Sequence, residues 1–554
     1  MASRYREPTI LAALLCLAAS PAPAADGIPD NDALMAALVD EQNRAAADLV
    51  LAGLPRPYFI EYRAQDRLIY TIRAAYGGLV QSDRRRSREF RSRARVGSYA
   101  LDNTNVGGGG GRAILPTDDD YMALRHAVWL ATDEDYKSAV EVLTRKQAYL
   151  QDKNFEDRPD DYSPAMPAQH LEPSAEMALE AKTWEATVKV LSARFEHYPQ
   201  IQQSGVSLFA GAADDYLVNT EGTRLRVADT GVLLNIEARL QAEEGMWLSD
   251  TLEYLGEQPD QLPPLDQIMA DIDALCARLL ALREAPMTEH YAGPVLFEPL
   301  AAAKALDALL SDGLCARPTP LGRPGQRDTS FEKKLGRRIL PRSFTVLDNP
   351  VPKRFEGALL AGAYTYDDEA VVASSVTLVE KGVLKSLLAS RSPTKKTEAS
   401  NGHGRSAGLL DAQANTGCLY IADEQGMSAE DLKAELIQAA RDEGLEYGLR
   451  VAALDTRGRS LGNPIYAYKV YVDDGREELV RGLEFLPVET QALKRILAGG
   501  RDRAVYNSAS GVAASVIAPA VIFEELELTR FQEEFEKRPI LDPPAVRGEN
   551  EPRP

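Results

Sequence analysis

Val376-Thr-Leu-Val-Glu-Lys-Gly-Val-Leu-Lys-Ser-Leu-Leu388 is the stretch whose reading decides the fold class. Two short runs rich in valine and leucine flank Lys381-Gly382. A glycine between two such runs marks a β-hairpin, because the tight turn needs a positive φ that glycine adopts without strain. Strands joined so closely must be antiparallel. Beyond the hairpin, Ser428-x-x-Asp431 opens a helix over Ser428–Arg441 in capping-box style, and Tyr466–Tyr471, Glu478–Phe485 and Val516–Leu528 alternate as strands.

Toward the N-terminus the same mixture continues. A helix is expected near Leu265–Arg283, after strands over Asp215–Leu225 and Thr230–Ala238. Amphipathic helices with solvated polar faces are expected over Glu134–Gln151 and Ser174–His197, and another over Asn31–Leu51 with Asp30 as its cap. Tyr58–Arg63 and Leu68–Tyr76 read as strands, and Arg91, Arg93 and Arg95 alternate into Val96 as one solvated strand face. Helices and antiparallel strands in separate runs imply an α+β fold, not a doubly wound sheet.

The chain has 554 residues, enough for two or three domains, and a formal charge of −20. That charge repels phosphates and anionic lipid, so neither nucleic acid nor a membrane surface is an expected partner, despite the basic patch at Arg84, Arg85, Arg86 and Arg88. At the start, Arg4 and Arg6 precede the apolar run Ile10–Ala19 and a small-residue Ala22-x-Ala24 site. This is the pattern of a cleavable secretory signal over residues 1–25, too short to span a bilayer. The expected location is periplasmic or extracellular. Cys276, Cys315 and Cys418 follow the signal, too few for a disulfide scaffold; one bridge or simple burial are both open.

Few residues point to chemistry on their own. The five histidines, His126, His170, His197, His290 and His403, are all more than five residues apart, so no helix can present a paired-histidine zinc site. Asp118–Asp120 and Asp367-Asp-Glu369 lack calcium-loop spacing and read as solvated turns. The run Gly107–Gly111 lacks the Lys-Ser/Thr of a phosphate loop and reads as a flexible tip. Gly404-Arg-Ser406-Ala-Gly408 matches a serine elbow by letter, but no histidine follows it; Ser392-Pro-Thr-Lys395 matches S-x-x-K without its later partners.

Several segments, in order, resemble the TldD/TldE (PmbA) metallopeptidase family. They are Tyr216-Leu-Val-Asn-Thr-Glu-Gly-Thr223, Ala363–Glu369 with the Val376–Leu388 hairpin, Asn401-Gly-His-Gly-Arg405, and Ser515–Leu526. The resemblance implies two domains: an N-terminal α/β-layered one over 26–290, with a helical insert at about 118–200, and a strand-rich, mostly antiparallel one over 291–537; the proline- and charge-rich tail at 538–554 is expected to be disordered. It also implies a zinc site, built in active members from an H-E-x-x-x-H helix and a late cysteine. Here Phe297 and Ala302 stand at the histidine positions, Glu298 keeps the place of the glutamate, and Ala509 falls where the cysteine belongs. Phenylalanine and alanine offer zinc no lone pair. Pro299 is expected to start a packing helix that buries Leu300, Ala303, Leu306 and Leu310.

The resemblance therefore implies a degenerate, TldE-like member without zinc. It would bind extended or unfolded peptide by strand addition, alongside a zinc-bearing TldD-like subunit or a second copy of itself. His403, Arg405 and Asn415 are the expected cleft residues. Two alternatives stay open: an active peptidase with ligands relocated to His290, His403 and carboxylates, and a non-enzymatic envelope scaffold.

Overall fold

The computed structural model describes residues 32–106, 110–152, 158–321, 331–455, 461–508 and 511–531. The signal at 1–25, Ala509 and the tail from 538 lie outside the described residues. The first helix, α1 (Ala33–Asp48), is capped by Asp32, whose side chain accepts the Met35 N–H at 2.9 Å. Asp30, the expected cap, is outside the described residues.

Strand β1 (Pro57–Ala75) absorbs both short runs read from the sequence into one 19-residue strand. It turns through Tyr76-Gly77 into β2 (Gly78–Val96). Strands β3 (Gln203–Asn219), β4 (Arg224–Gln241) and β5 (Trp247–Gly256) complete an antiparallel meander in the order β2-β1-β3-β4-β5, with two short strands added at its margins. The turn between β3 and β4 is set by Asn219, whose side-chain oxygen accepts the Glu221 and Thr223 N–H groups while Gly222 takes φ +102°. Helices α2 (Tyr121–Asp152) and α3 (Ala181–Ala193) pack on this sheet; both differ in extent from the expected spans. Helix α4 (Leu265–Glu284) matches expectation and buries Ile268, Ile272, Leu275 and Leu279 at helical spacing.

The second sheet has eleven strands and begins with β6 (His290–Phe297). Pro299, at the first helical position, opens α5 (Pro299–Leu310), as expected. Its buried face is alanine-rich (Ala301, Ala302, Ala303, Ala305), which lets the helix approach the sheet closely beside Leu306 and Leu310. Leu300 differs from expectation: at the second helical position it points away from the sheet and is 45% exposed.

The hairpin forms as read, from β7 (Val376–Glu380) to β8 (Val383–Leu384), with Lys381 at φ +49° and Gly382 at φ +74°. Ser428 caps α6 (Ala429–Asp442), accepting the Asp431 N–H at 3.1 Å. The expected 478–485 strand is broken at Gly482, φ +78°. The last long strands, β9 (Ile496–Ser508) and β10 (Ala514–Arg530), pair antiparallel, and β10 runs through the centre of the sheet. The fold is α+β with mostly antiparallel, strand-rich sheets. Cys276, Cys315 and Cys418 are free thiols, all buried. No described helix is long and apolar enough to cross a membrane.

Between the sheets runs a seam of buried charge, and here two expectations fail. Arg91, Arg93 and Arg95 were expected on a solvated face, but that face of β2 is covered at Arg91 and Arg93 by a loop of the second half and at Arg95 by Asp102 and Tyr162, and Arg91 and Arg95 are buried. Asp367 and Glu369, expected in a solvated turn, are also buried. Arg391 ties the halves together: its side chain donates to Ser163 O at 2.9 Å and to Glu221 at 2.7 Å, and lies 4.2 Å from the centre of the Tyr162 ring. Gly111, from the glycine run, is wedged where a Cβ would stand 1.9 Å from Ala131 O, so this end of the run is packed and not a free tip.

Candidate functional site

A cavity of about 670 Å³ opens beside helix α5. Its walls come from α5, from the 405–416 loop and from the adjoining ends of β9 and β10. Along α5, Lys304, Asp307, Ala308 and Ser311 face it, followed by Asp312 and Cys315. The spacing of 304, 307, 308 and 311 is one helical face. These polar residues interrupt an otherwise alanine- and leucine-rich helix, a signal legible in the sequence but not used in the reading above. Burial raises the Asp307 carboxyl and lowers the Lys304 ammonium, whose fall is opposed by Glu253, Asp455 and Asp250. Tyr506 and Ser508 line the far wall, and burial holds the Tyr506 hydroxyl up at about 12. Over Arg503–Ser508, β9 pairs only with β10 among the described residues, leaving its other edge open along this stretch.

Of the expected cleft residues, Arg405 and Asn415 line the cavity and His403 does not. Arg405 stacks 4.1 Å from the centre of the Tyr364 ring, and Asn415 accepts from Arg317 at 2.6 Å while donating to Arg405 O at 3.0 Å. His403 is fully buried beneath them, with Nε2 3.3 Å from Asp348 and Nδ1 3.1 Å from Asn401 O. Asp348 is itself held by the Gly417 and Cys418 N–H groups, so this histidine braces the loop instead of facing the cleft.

Of the positions assigned to the zinc motif, Phe297, Glu298 and Ala302 do not line this cavity. Phe297 ends β6 in the core, 5.7 Å from the Phe485 ring centre and 5.5 Å from that of Phe523. Ala302 is sealed under the sheet, and Glu298 pairs with Arg450 on a different surface, beside another depression.

Residues 289–530 match the family model of the PmbA/TldA metallopeptidase C-terminal domain. A metalloprotease of Methanocaldococcus jannaschii is 39% identical over 85 residues, which are 15% of this chain and 18% of that relative's length. A second metalloprotease, of Methanothermobacter thermautotrophicus, is 41% identical over 83 residues, 15% of this chain and 17% of the relative. Residues 289–530 therefore carry a C-terminal domain of the TldD/TldE (PmbA) family. The fold agrees with that assignment. TldE from Thermococcus kodakarensis superposes over 89% of this chain and all of that one, with TM-score 0.56 and 13% identity. A candidate modulator of DNA gyrase from Thermotoga maritima superposes over 89% of this chain and all of its own, with TM-score 0.60 and 16% identity.

Zinc, which the TldD/TldE family implies, does not fit the described cavity wall. Asp307 accepts from the Ser311 hydroxyl at 2.5 Å and Asp312 from Arg317 at 3.0 Å. The Cys315 thiol is pushed up to about 12 by burial and donates to Ser311 O, and zinc needs the thiolate. No histidine lines the cavity, and among the described residues no three histidine, cysteine or acidic side chains are grouped to hold a metal. His290 lies at the exposed start of β6 and His403 is buried in its loop, so the two do not meet around a common site.

Proposed function

We propose that this protein is an exported, metal-free, TldE-like member of its family that binds extended or unfolded peptide. It works in proteolysis with a zinc-bearing TldD-like subunit, or holds peptide as a homodimer. The observation that carries the reading is the open edge of β9 beside a large polar cavity whose described wall supplies no zinc donor set. A strand edge offers alternating N–H and C=O groups, so a peptide laid along Arg503–Ser508 gains backbone hydrogen bonds regardless of its sequence. Side chains of Lys304, Arg405 and Asn415 would meet the polar groups of that peptide. Nothing in this mode requires a metal: binding and hydrolysis divide between two subunits. Export rests on the N-terminal charge, apolar run and Ala22-x-Ala24 pattern.

The test is fluorescence anisotropy of a labelled, unfolded casein-derived peptide with the purified mature chain, with and without a chelator, plus elemental analysis of zinc after dialysis. Binding unaffected by the chelator, with far less than one zinc per chain, is expected. Failure to bind, or casein cleavage that the chelator abolishes, would overturn the proposal.

A further inference from the structure

A second cavity, of about 230 Å³, lies behind the large one in the charged seam. Leu410, Asp411 and Gln413 line both, so a single loop separates them. The floor of the smaller cavity is the face shared by β1 and β2, where Glu61 pairs across the strands with Arg93, next to Arg95. Its chemistry is unbalanced in a specific way. Among the described residues, the buried Nε of Arg95 and the buried Oε2 of Glu61 have no hydrogen-bond partner. Both side chains are more than nine-tenths buried, at 7% and 5% residual exposure. Such orphans cost stability unless a ligand supplies the missing partner. Among the described residues, the ion pair of Arg93 is with Asp411, a loop residue whose side chain is half exposed and also meets Arg91. Burial and the neighbouring Arg91 and Arg95 charges push the Arg93 guanidinium down to about 9, so this cation gains from a further anion.

A carboxylate next to an amide N–H is what the C-terminal residue of a peptide presents. We propose that the smaller cavity receives the C-terminal residue of a peptide held in the larger one, its carboxylate on Arg93 and Arg95 and its last backbone N–H on Glu61. Asp411, a carboxylate already at Arg93, marks the place and yields it by turning to solvent. This inference rests on the peptide-binding reading above and sharpens it: the ligand is a free chain end, not an internal loop.

The experiment compares one unfolded peptide in two forms, with a free C-terminal carboxylate and with a C-terminal amide, titrated against the full mature chain. The free acid is expected to bind roughly tenfold more tightly, the low end of what hydrogen bonds to a charged group contribute. In Arg93→Gln that difference should shrink below about twofold. Equal affinity for acid and amide in the unmodified protein would overturn this proposal and leave peptide binding standing. Binding of neither form would remove the peptide reading and this one with it. A free amino acid competing as well as the peptide acid would assign the cavity to amino acids and overturn the chain-end assignment.

Discussion

In the seam between the sheets, the Lys146 ammonium lies 2.6 Å from Asp161 with both side chains excluded from solvent, and Arg391 bridges Ser163 to Glu221. On the wall of the large cavity, Asp307 has a hydroxyl for company and Cys315 a backbone carbonyl. Both regions bury ionisable groups, but the seam mostly answers charge with charge whereas the helix wall answers it with neutral dipoles. Paired charge at such a depth is a structural clamp, because separating it strands an ion in low dielectric. A wall of neutralised polar groups around open volume is room for a ligand that brings its own hydrogen bonds.

The contrast is tested hardest at Asp161. Removing it in Asp161→Ala leaves the Lys146 ammonium, among the described residues, with Thr104 O as its remaining hydrogen-bond partner and also unpairs Arg158, and should cost about 3–5 kcal/mol, the range for stranding a buried charge. Burial pushes the Asp161 carboxyl up and the Lys146 ammonium down, so desolvation outweighs the attraction at both partners. The double replacement Asp161→Ala with Lys146→Met should therefore recover much of the loss. Urea unfolding of the two variants measures it. Equal losses in both would mean that the seam holds through packing and that charge pairing is incidental.

Much of this seam was hidden from the sequence for one physical reason. Alternation of Arg91, Arg93 and Arg95 shows that they share a strand face, yet it cannot show what covers the face; over Arg91 and Arg93 the cover comes from residues more than 300 positions away, over Arg95 from Asp102 and Tyr162. Asp367 and Glu369 misled in the same way, since acidic residues beside a turn are exposed in most proteins. Local chemistry was legible: the Lys381-Gly382 turn, the Ser428 cap and the Pro299 helix start all formed where read. The candidate site was legible only in part. Arg405 and Asn415 reach the cavity because both flank the loop that lines it. The residues of α5 that face it were missed because helical spacing shows that Lys304, Asp307 and Ser311 share a face but not that the face borders a cavity.

A smaller effect should appear at Glu369. Burial, with Asp367 adding repulsion, lifts its carboxyl from an ordinary 4.5 to about 8. The folded chain therefore holds that proton across a window in which the unfolded chain has lost it. Stability tied to Glu369 is fully present below about pH 4.5 and falls as pH rises toward 8. Glu369→Gln removes that slope and still accepts the Arg391 N–H, so it should melt a few degrees above the unmodified protein at pH 8 and equal it at pH 4.5. An identical pH profile for both proteins would place the excess seam proton elsewhere.

Glu298 should matter least, and that is its value. By sequence it holds the place of a catalytic glutamate; in the fold it caps α5 from outside, 39% exposed, paired with Arg450 and facing away from the large cavity. Its neighbour Arg450 keeps a second partner in Glu477 at 2.5 Å, so no guanidinium is stranded when Glu298 is shortened. Exposed pairs of this kind contribute about 0–1 kcal/mol. Glu298→Ala should therefore lower stability by no more than that and leave peptide affinity unchanged, measured by melting and anisotropy on the same preparation. Loss of a chelator-sensitive cleavage in this variant would break the division drawn here, since it would require Glu298 to reach a reacting water from a surface that the described cavity does not touch.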